Sequence, residues 1–227
     1  LSSENEGAGS EDPRLGSEKQ WVGIGAAAPK ALRDLAGSVR TLVDRMLRVV
    51  DADEALAAAK QRVDEIAETL APYLRSGRTP RLGPGDDRAD ARPYYVDGVV
   101  IPDYHPHAIP AELSLDGDVT RGRVHFGVTF EGPPGCVHGG VVASFFDQIL
   151  GHHNVSSGIP AMTGSLTVRY RRPTPLYTDL DFEVRVKDRE GRKIVTVGTL
   201  SAEGELIAEG EGLFILPGRH VFESELG

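Results

Sequence analysis

The sequence predicts an α+β domain in which a curled antiparallel sheet wraps around one apolar helix, preceded by an N-terminal helical hairpin. Three observations carry this. Residues 131–151, "EGPPGCVHGGVVASFFDQILG", read as a helix that is apolar on nearly every side and entered through glycines. At least five runs around it alternate apolar and polar residues with the period of a strand, and the later ones follow one another through short connections that favour antiparallel pairing. Ahead of them, two stretches repeat apolar residues every three or four positions.

At 227 residues the chain holds one ordinary domain with extensions and can bury a sizeable core. Its formal net charge of -9 argues against a nucleic-acid partner, because phosphate binding needs a basic face. The single cysteine, Cys136, excludes an internal disulfide and a zinc site built on several thiolates, which suits a reducing, cytoplasmic setting. No apolar run approaches the roughly 20 residues of a bilayer span. The N-terminus shows no basic region followed by an apolar one, so no secretory signal is expected.

Residues 1–28 are rich in Gly, Ser, Glu and Ala and read as a disordered tail or expression remnant. From Pro29, which suits a first helical turn, Leu32, Leu35, Val39, Leu42, Val43, Met46 and Leu47 recur at helical spacing. A second helix follows through Leu56, Val63, Ile66, Ala67 and Leu70, with Asp51 or Asp53 as N-cap and Gly77 beyond its end. These make the hairpin extension, residues 29–77, whose expected role is packing, with site capping or assembly as alternatives. Residues 78–110 are dense in Pro, Gly and charge and read as a linker draped over the domain. His105 and His107 within it form an H-x-H between prolines with no supporting element, so no metal site is assigned.

The sheet domain is expected over residues 111–217, with a C-terminal tail at 218–227. In "RGRVHFGVTF" a strand places Val124, Phe126, Val128 and Phe130 on one face and Arg123, His125, Gly127 and Thr129 on the other. In the helix that follows, Val141, Val142, Phe145, Phe146, Ile149 and Leu150 leave few faces for water. His152 and His153 near its end are expected as capping residues, favoured as imidazolium by the negative pole of the helix. The runs "MTGSLTVRYRR", "LDFEVRVKD", "KIVTVGTLSA" and "ELIAEGEGLFIL" complete the sheet, the last two joined by a turn at Glu203 and Gly204.

Asp147 stands out in that helix, one turn after Ala143 and beside Phe146. Burying an ionised carboxylate without partners costs several kcal/mol, so it is either paired structurally or functional. Gly139 and Gly140 at the helix entrance leave first-turn N–H groups open to a ligand oxygen, where the helix stabilises developing negative charge; a tight loop-to-helix turn explains them equally. Eight residues separate Gly139 from Asp147, roughly 12 Å at the helical rise. Both therefore touch one reacting carbonyl only if the site is shared between two antiparallel copies.

The stretches "FEGPPGCVHGGVVASFFDQILG", Phe130 to Gly151, and "TGSLTVRYRRPTP", Thr163 to Pro175, resemble the hotdog-fold acyl-CoA thioesterases of the PaaI type, within the branch of thioesterase superfamily members 4 and 5. The likeness runs from about Ala111 to Pro217. It rests on the HGG-to-Asp spacing combined with T-x-x-L-x-V-x-Y-x-R-P. The resemblance implies a hydrolase that splits acyl-CoA into free acid and CoA, with no cofactor or metal, at the interface of a homodimer or dimer of dimers. It implies Asp147 as general base or nucleophile, the Gly139 N–H polarising the thioester carbonyl with His138 in support, and Thr163 positioning the water or Asp147. By strand alternation Ser165 and Thr167 share the face of Thr163, so Ser165 and Gly140 are expected to line the substrate. Arg169, Arg171 and Arg172, with Lys187 and Arg189, form a basic set suited to the phosphates of CoA, or else solvated strand ends. Where some relatives carry an asparagine before HGG, this chain reads Glu131, Gly132, Pro133, Pro134 and Gly135.

Two other functions compete. An acyl-thioester dehydratase would use His125 of "HFGVTFEGPPG" as base, and a non-catalytic acyl-CoA-binding protein would keep the pocket without turnover. The first lacks support from the Asp147 spacing, and the second has no need of a buried carboxylate.

Overall fold

The computed structural model describes residues 29–74, 105–109, 111–159 and 161–216. The tails at 1–28 and 218–227, Gly77 and most of the linker lie outside them. The chain runs through α1 (Lys30–Met46), α2 (Asp53–Leu70), β1 (Ala111–Asp116), β2 (Val119–His125), α3 (Gly139–Ser156), β3 (Met162–Tyr170), β4 (Asp179–Glu190), β5 (Lys193–Ala202) and β6 (Glu205–Ile215). The strands form one sheet in the order β1-β2-β4-β5-β6-β3, antiparallel at every neighbour.

Period-two patterning decides which face of this sheet is dry. Leu180, Phe182 and Val184 of β4, Ile194 and Leu200 of β5, and Ala208 and Phe214 of β6 are buried and meet Val142, Phe145, Phe146, Ile149 and Leu150 of α3 in one core. Glycines set the depth of that seat. A Cβ on Gly210 would lie 2.5 Å from the Phe146 ring, and one on Gly198 would lie 3.2 Å from a Leu150 methyl. The paired Gly198 and Gly210 therefore form a floor low enough for the helix to sink into the sheet. β5 turns into β6 through Glu203 and Gly204 alone, with φ of 51° and 82°, the left-handed pair that a two-residue hairpin turn requires.

Several expectations need correction. The strand predicted over 121–130 ends at His125, because Gly127 breaks it and Val128–Phe130 coil into a 3-10 turn as the chain leaves the sheet for α3. Phe126 is nevertheless fully buried, edge-on to both Phe130 and Phe145. A sixth strand, β1, joins the five runs named from the sequence: it is short and mostly exposed, with Glu112 and Ser114 alternating outward against Leu113. His152 and His153 are not charged caps. They turn inward with Asn154, and burial drives the His152 pKa from 6.5 down to about 4 and lowers that of His153 as well. His153 Nδ1 shares a 2.8 Å hydrogen bond with Thr120 Oγ1, and Asn154 Oδ1 accepts one of 2.7 Å from Thr196.

The predicted hairpin exists as two helices that do not pack as a pair. α1 docks on the domain through Ala36, which is buried, and Arg40, whose guanidinium donates to the His105 carbonyl at 2.9 Å. α2 has no buried residue and makes no extended contact with α1 or the sheet. Its N-cap is Ala52 rather than Asp51 or Asp53, with Asp53 and Glu54 in the first turn where the helix dipole favours them. Pro29 likewise falls at the N-cap of α1, one residue before the first turn. The end of the linker is no loose drape, since Ala108 and Ile109 are buried and Ile109 joins the core.

Candidate active site

The loop that delivers α3 is folded on itself. Gly132 N–H donates to the Cys136 carbonyl, Gly135 N–H to a Glu131 carboxylate oxygen at 2.8 Å, and His138 N–H to the Phe130 carbonyl. A Cβ on Gly132 would come within 2.6 Å of the His138 Cα, so this crossing excludes any side chain there. The Glu131 carboxylate thus fixes the loop.

At the end of this loop His138 is the N-cap of α3, and its Nδ1 accepts from the Gly140 N–H at 3.0 Å. An accepting Nδ1 leaves the ring proton on Nε2 in the neutral form. The Gly140 amide is therefore occupied, contrary to the expectation that both glycine amides stand open. The Gly139 N–H has no acceptor among the described residues and sits at the positive pole of an 18-residue helix. Tyr170, not singled out from the sequence although it lies within the Thr163–Pro175 motif, donates its hydroxyl to the Gly139 carbonyl at 2.7 Å and packs on the Gly139 Cα side. It ties the end of β3 to the first residue of the helix.

Asp147 lies on the partly covered side of α3, toward β3, where Thr163 Oγ1 donates to its Oδ1 at 2.9 Å. Thr163 reaches it because of a bulge. Thr163 pairs with Phe214 and Ser165 with Leu213, which leaves Gly164 as an extra residue. Simple alternation would put Thr163 and Ser165 on one face. The bulge instead sets Thr163 with Leu166, Val168 and Tyr170 toward the helix and turns Ser165 outward with Thr167 and Arg169. Ser165 is thus displaced from the carboxylate it was expected to accompany.

The basic set lies on the outer face as a ladder of ion pairs. Arg171 pairs with Glu209, Arg172 with Glu205 and Lys187 with Glu211, each at 2.6–2.7 Å. Arg169 and Arg189 form no ion pair among the described residues. His125 sits on the same outer face, bonded to Asp179 at 3.0 Å, away from α3. His105 Nδ1 accepts from the His107 N–H at 3.1 Å, and no metal-binding cluster occurs among the described residues. No described helix is long and apolar enough to cross a membrane.

A helix sunk into a six-stranded antiparallel sheet, with a carboxylate in mid-helix and an open amide at its N-terminus, is the hotdog arrangement, and the chain belongs to the thioesterase superfamily. Residues 134–208 match that family. A crystal structure of a thioesterase superfamily protein, 30% identical, superposes with a TM-score of 0.70 over 84% of this chain and 97% of that one. Among curated proteins, acyl-coenzyme A thioesterase THEM4 of Mus musculus is 35% identical over 91 residues, 39% of either chain. The Xenopus laevis protein of the same name is 36% identical over 91 residues, 39% of this chain and 41% of its own. The chain thus matches about two fifths of the length of these curated relatives.

Proposed function

We propose that the chain hydrolyses acyl-CoA thioesters, with each site completed by two copies. The observation that carries it is the polar pair Asp147–Thr163, held at 2.9 Å on a helix whose other end offers the free Gly139 amide. Family membership and the activity named for the THEM4 relatives support the reading.

The Gly139 N–H donates to the thioester carbonyl oxygen and holds the charge that develops as the carbonyl becomes tetrahedral. The Asp147 oxygen left free by Thr163 either takes a proton from water, which then attacks, or attacks directly to give an anhydride that water opens. Carbon–sulfur cleavage releases the CoA thiolate, which takes up a proton, and the acid departs. Water and thioester are the only reactants, so no cofactor or metal is assigned.

One chain cannot present both groups, because they lie roughly 12 Å apart on a rigid helix. The two sheet edges differ in a way that favours pairing through β3. β1 is six residues long and carries Glu112 and Asp116, whereas β3 is nine residues long and carries no charge before Arg169. Antiparallel pairing of two β3 edges would lay two α3 helices side by side in opposite directions, bringing the Gly139 of one copy toward the Asp147 of the other. Among the described residues Arg169 is the cation of the β3 set that forms no close ion pair, feeling Glu211 only at longer range, and it is assigned to the CoA phosphates. Arg171 and Arg172 would first have to exchange Glu209 and Glu205.

The test is thiol release from short, medium, long and aromatic acyl-CoAs by wild type and Asp147→Asn. Turnover should fall by about 10³-fold or more in the variant, the scale of losing a general base or nucleophile. Binding of acyl-CoA without thiol release by the wild type would sink the hydrolase reading.

A further inference from the structure

We infer that Tyr170 is a positioning residue of the proposed site, keeping the Gly139 amide aimed at the thioester carbonyl. The inference deepens the hydrolase reading and rests on it. Two consecutive glycines open α3, and glycine has the widest backbone freedom of any residue, so this first turn needs outside support to keep one direction. The support reaches a single peptide plane from both sides. Its carbonyl, that of Gly139, accepts from the Tyr170 hydroxyl at 2.7 Å, and its N–H, that of Gly140, donates to His138 Nδ1 at 3.0 Å. The preceding plane is held by the helix itself, because the His138 carbonyl accepts from the N–H groups of Val141 at 2.9 Å and Val142 at 3.2 Å. A trans peptide points its N–H opposite to its carbonyl, so the Gly139 N–H is turned outward from the helix.

Neither partner of the Tyr170 bond requires it for its own sake. The tyrosine is 51% exposed, so water could serve its hydroxyl, and a helical carbonyl already accepts from the N–H one turn on. What the bond adds is a fixed distance between the end of β3 and the first peptide of α3. The same strand holds the other half of the site: Thr163, which shares the helix-facing side of β3 with Tyr170, donates to Asp147 at 2.9 Å. β3 thus sets both the carboxylate and the amide, with one hydroxyl for each. Tyr170 acts through Gly139 rather than on the reacting atoms.

Tyr170→Phe tests this, because it keeps the ring against Gly139 and removes only the hydroxyl. Steady-state thiol release should show kcat lower by about 10-fold, the scale of one lost hydrogen bond, with KM within about twofold of wild type. A second readout uses acyl-CoA with an isotope-labelled thioester carbonyl, bound to Asp147→Asn so that it is not turned over. The infrared carbonyl stretch of the bound thioester should lie below that of the free thioester, and adding Tyr170→Phe should move it back toward the free value. An unchanged kcat, a loss confined to KM, or a carbonyl stretch indifferent to the hydroxyl would each overturn the assignment while leaving the hydrolase reading intact. A wild type that releases no thiol would overturn that reading and the assignment with it.

Discussion

Thr163 illustrates how much of the site rests on single hydroxyls. Its hydrogen bond to Asp147 is charge-assisted, a class worth about 1.5–3 kcal/mol. Thr163→Val should therefore lower kcat/KM by roughly 10- to 100-fold while leaving the fold intact, read in the thiol-release assay with a melting curve as control. A loss confined to KM would argue that Thr163 merely shapes the pocket. His152 gives a second prediction, on stability. Its folded pKa, pressed down to about 4 chiefly by burial and further by His153, lies below the 6.5 of the unfolded chain. The unfolded state therefore binds the proton first as pH falls. Stability should be complete above about pH 6.5 and decline toward pH 4, by up to about 3 kcal/mol, with His153 adding in the same direction. Urea unfolding at pH 7.5, 6 and 5 measures this, and a flat profile would contradict the buried neutral imidazoles. Asp147 was conspicuous by its residue type and setting, whereas Thr163 was pointed to only by the family resemblance. Tyr170 and the inward histidines were not, because aromatic residues on strands and histidines near helix ends are ordinary in any sequence.

At the scale of elements, the fit between α3 and the β5–β6 floor is the least forgiving contact. Phe146 is fully buried and its ring, Cγ and Cβ all crowd the position a Gly210 side chain would take. Gly210→Ala should cost about 1–3 kcal/mol, the range for overpacking a filled core, and lower the urea midpoint accordingly. An unchanged midpoint would mean that the helix can lift from its seat without loss. Most strands and the central helix could be read from periodicity, since period-two runs of buried residues in β4, β5 and β6 leave little choice. The strand at 121–130 was read too long because alternation continues through Val128 and Phe130 after the backbone has left the sheet. The bulge at Gly164 was invisible for a related reason: a glycine in a run of alternating residues does not announce that the phase will change after it.

For the whole molecule, the shared-site reading predicts complementation. Gly139 occupies the first position of α3, where proline is tolerated because its missing N–H is unpaired in any case, and His138 already has the extended backbone that precedes proline. Gly139→Pro therefore removes the amide while sparing the helix, and should be inactive. Co-expressed in equal amounts with Asp147→Asn, it should restore activity at about a quarter of the sites, because half the dimers are mixed and each carries one intact pair. No recovery would defeat the shared site. On the outer face of the sheet, charges are paired from strand to strand. The outer-face ion pairs are exposed and contribute at most about 1 kcal/mol each, so they bear on solubility and edge choice more than on folding.

The sequence by itself determined the class of fold, because hydrophobic period and glycine-bounded turns are local properties, and it singled out Asp147, because a charged residue inside an apolar helix is conspicuous. Tertiary structure alone decided which side chains meet. The bulge that swings Thr163 to Asp147 and Ser165 away, the His138 ring that closes one glycine amide and leaves the other, and the exposure of α2 all depend on where distant segments lie in space. Such relations carry no signature in local spacing, since each is fixed by packing across the sheet rather than along the chain.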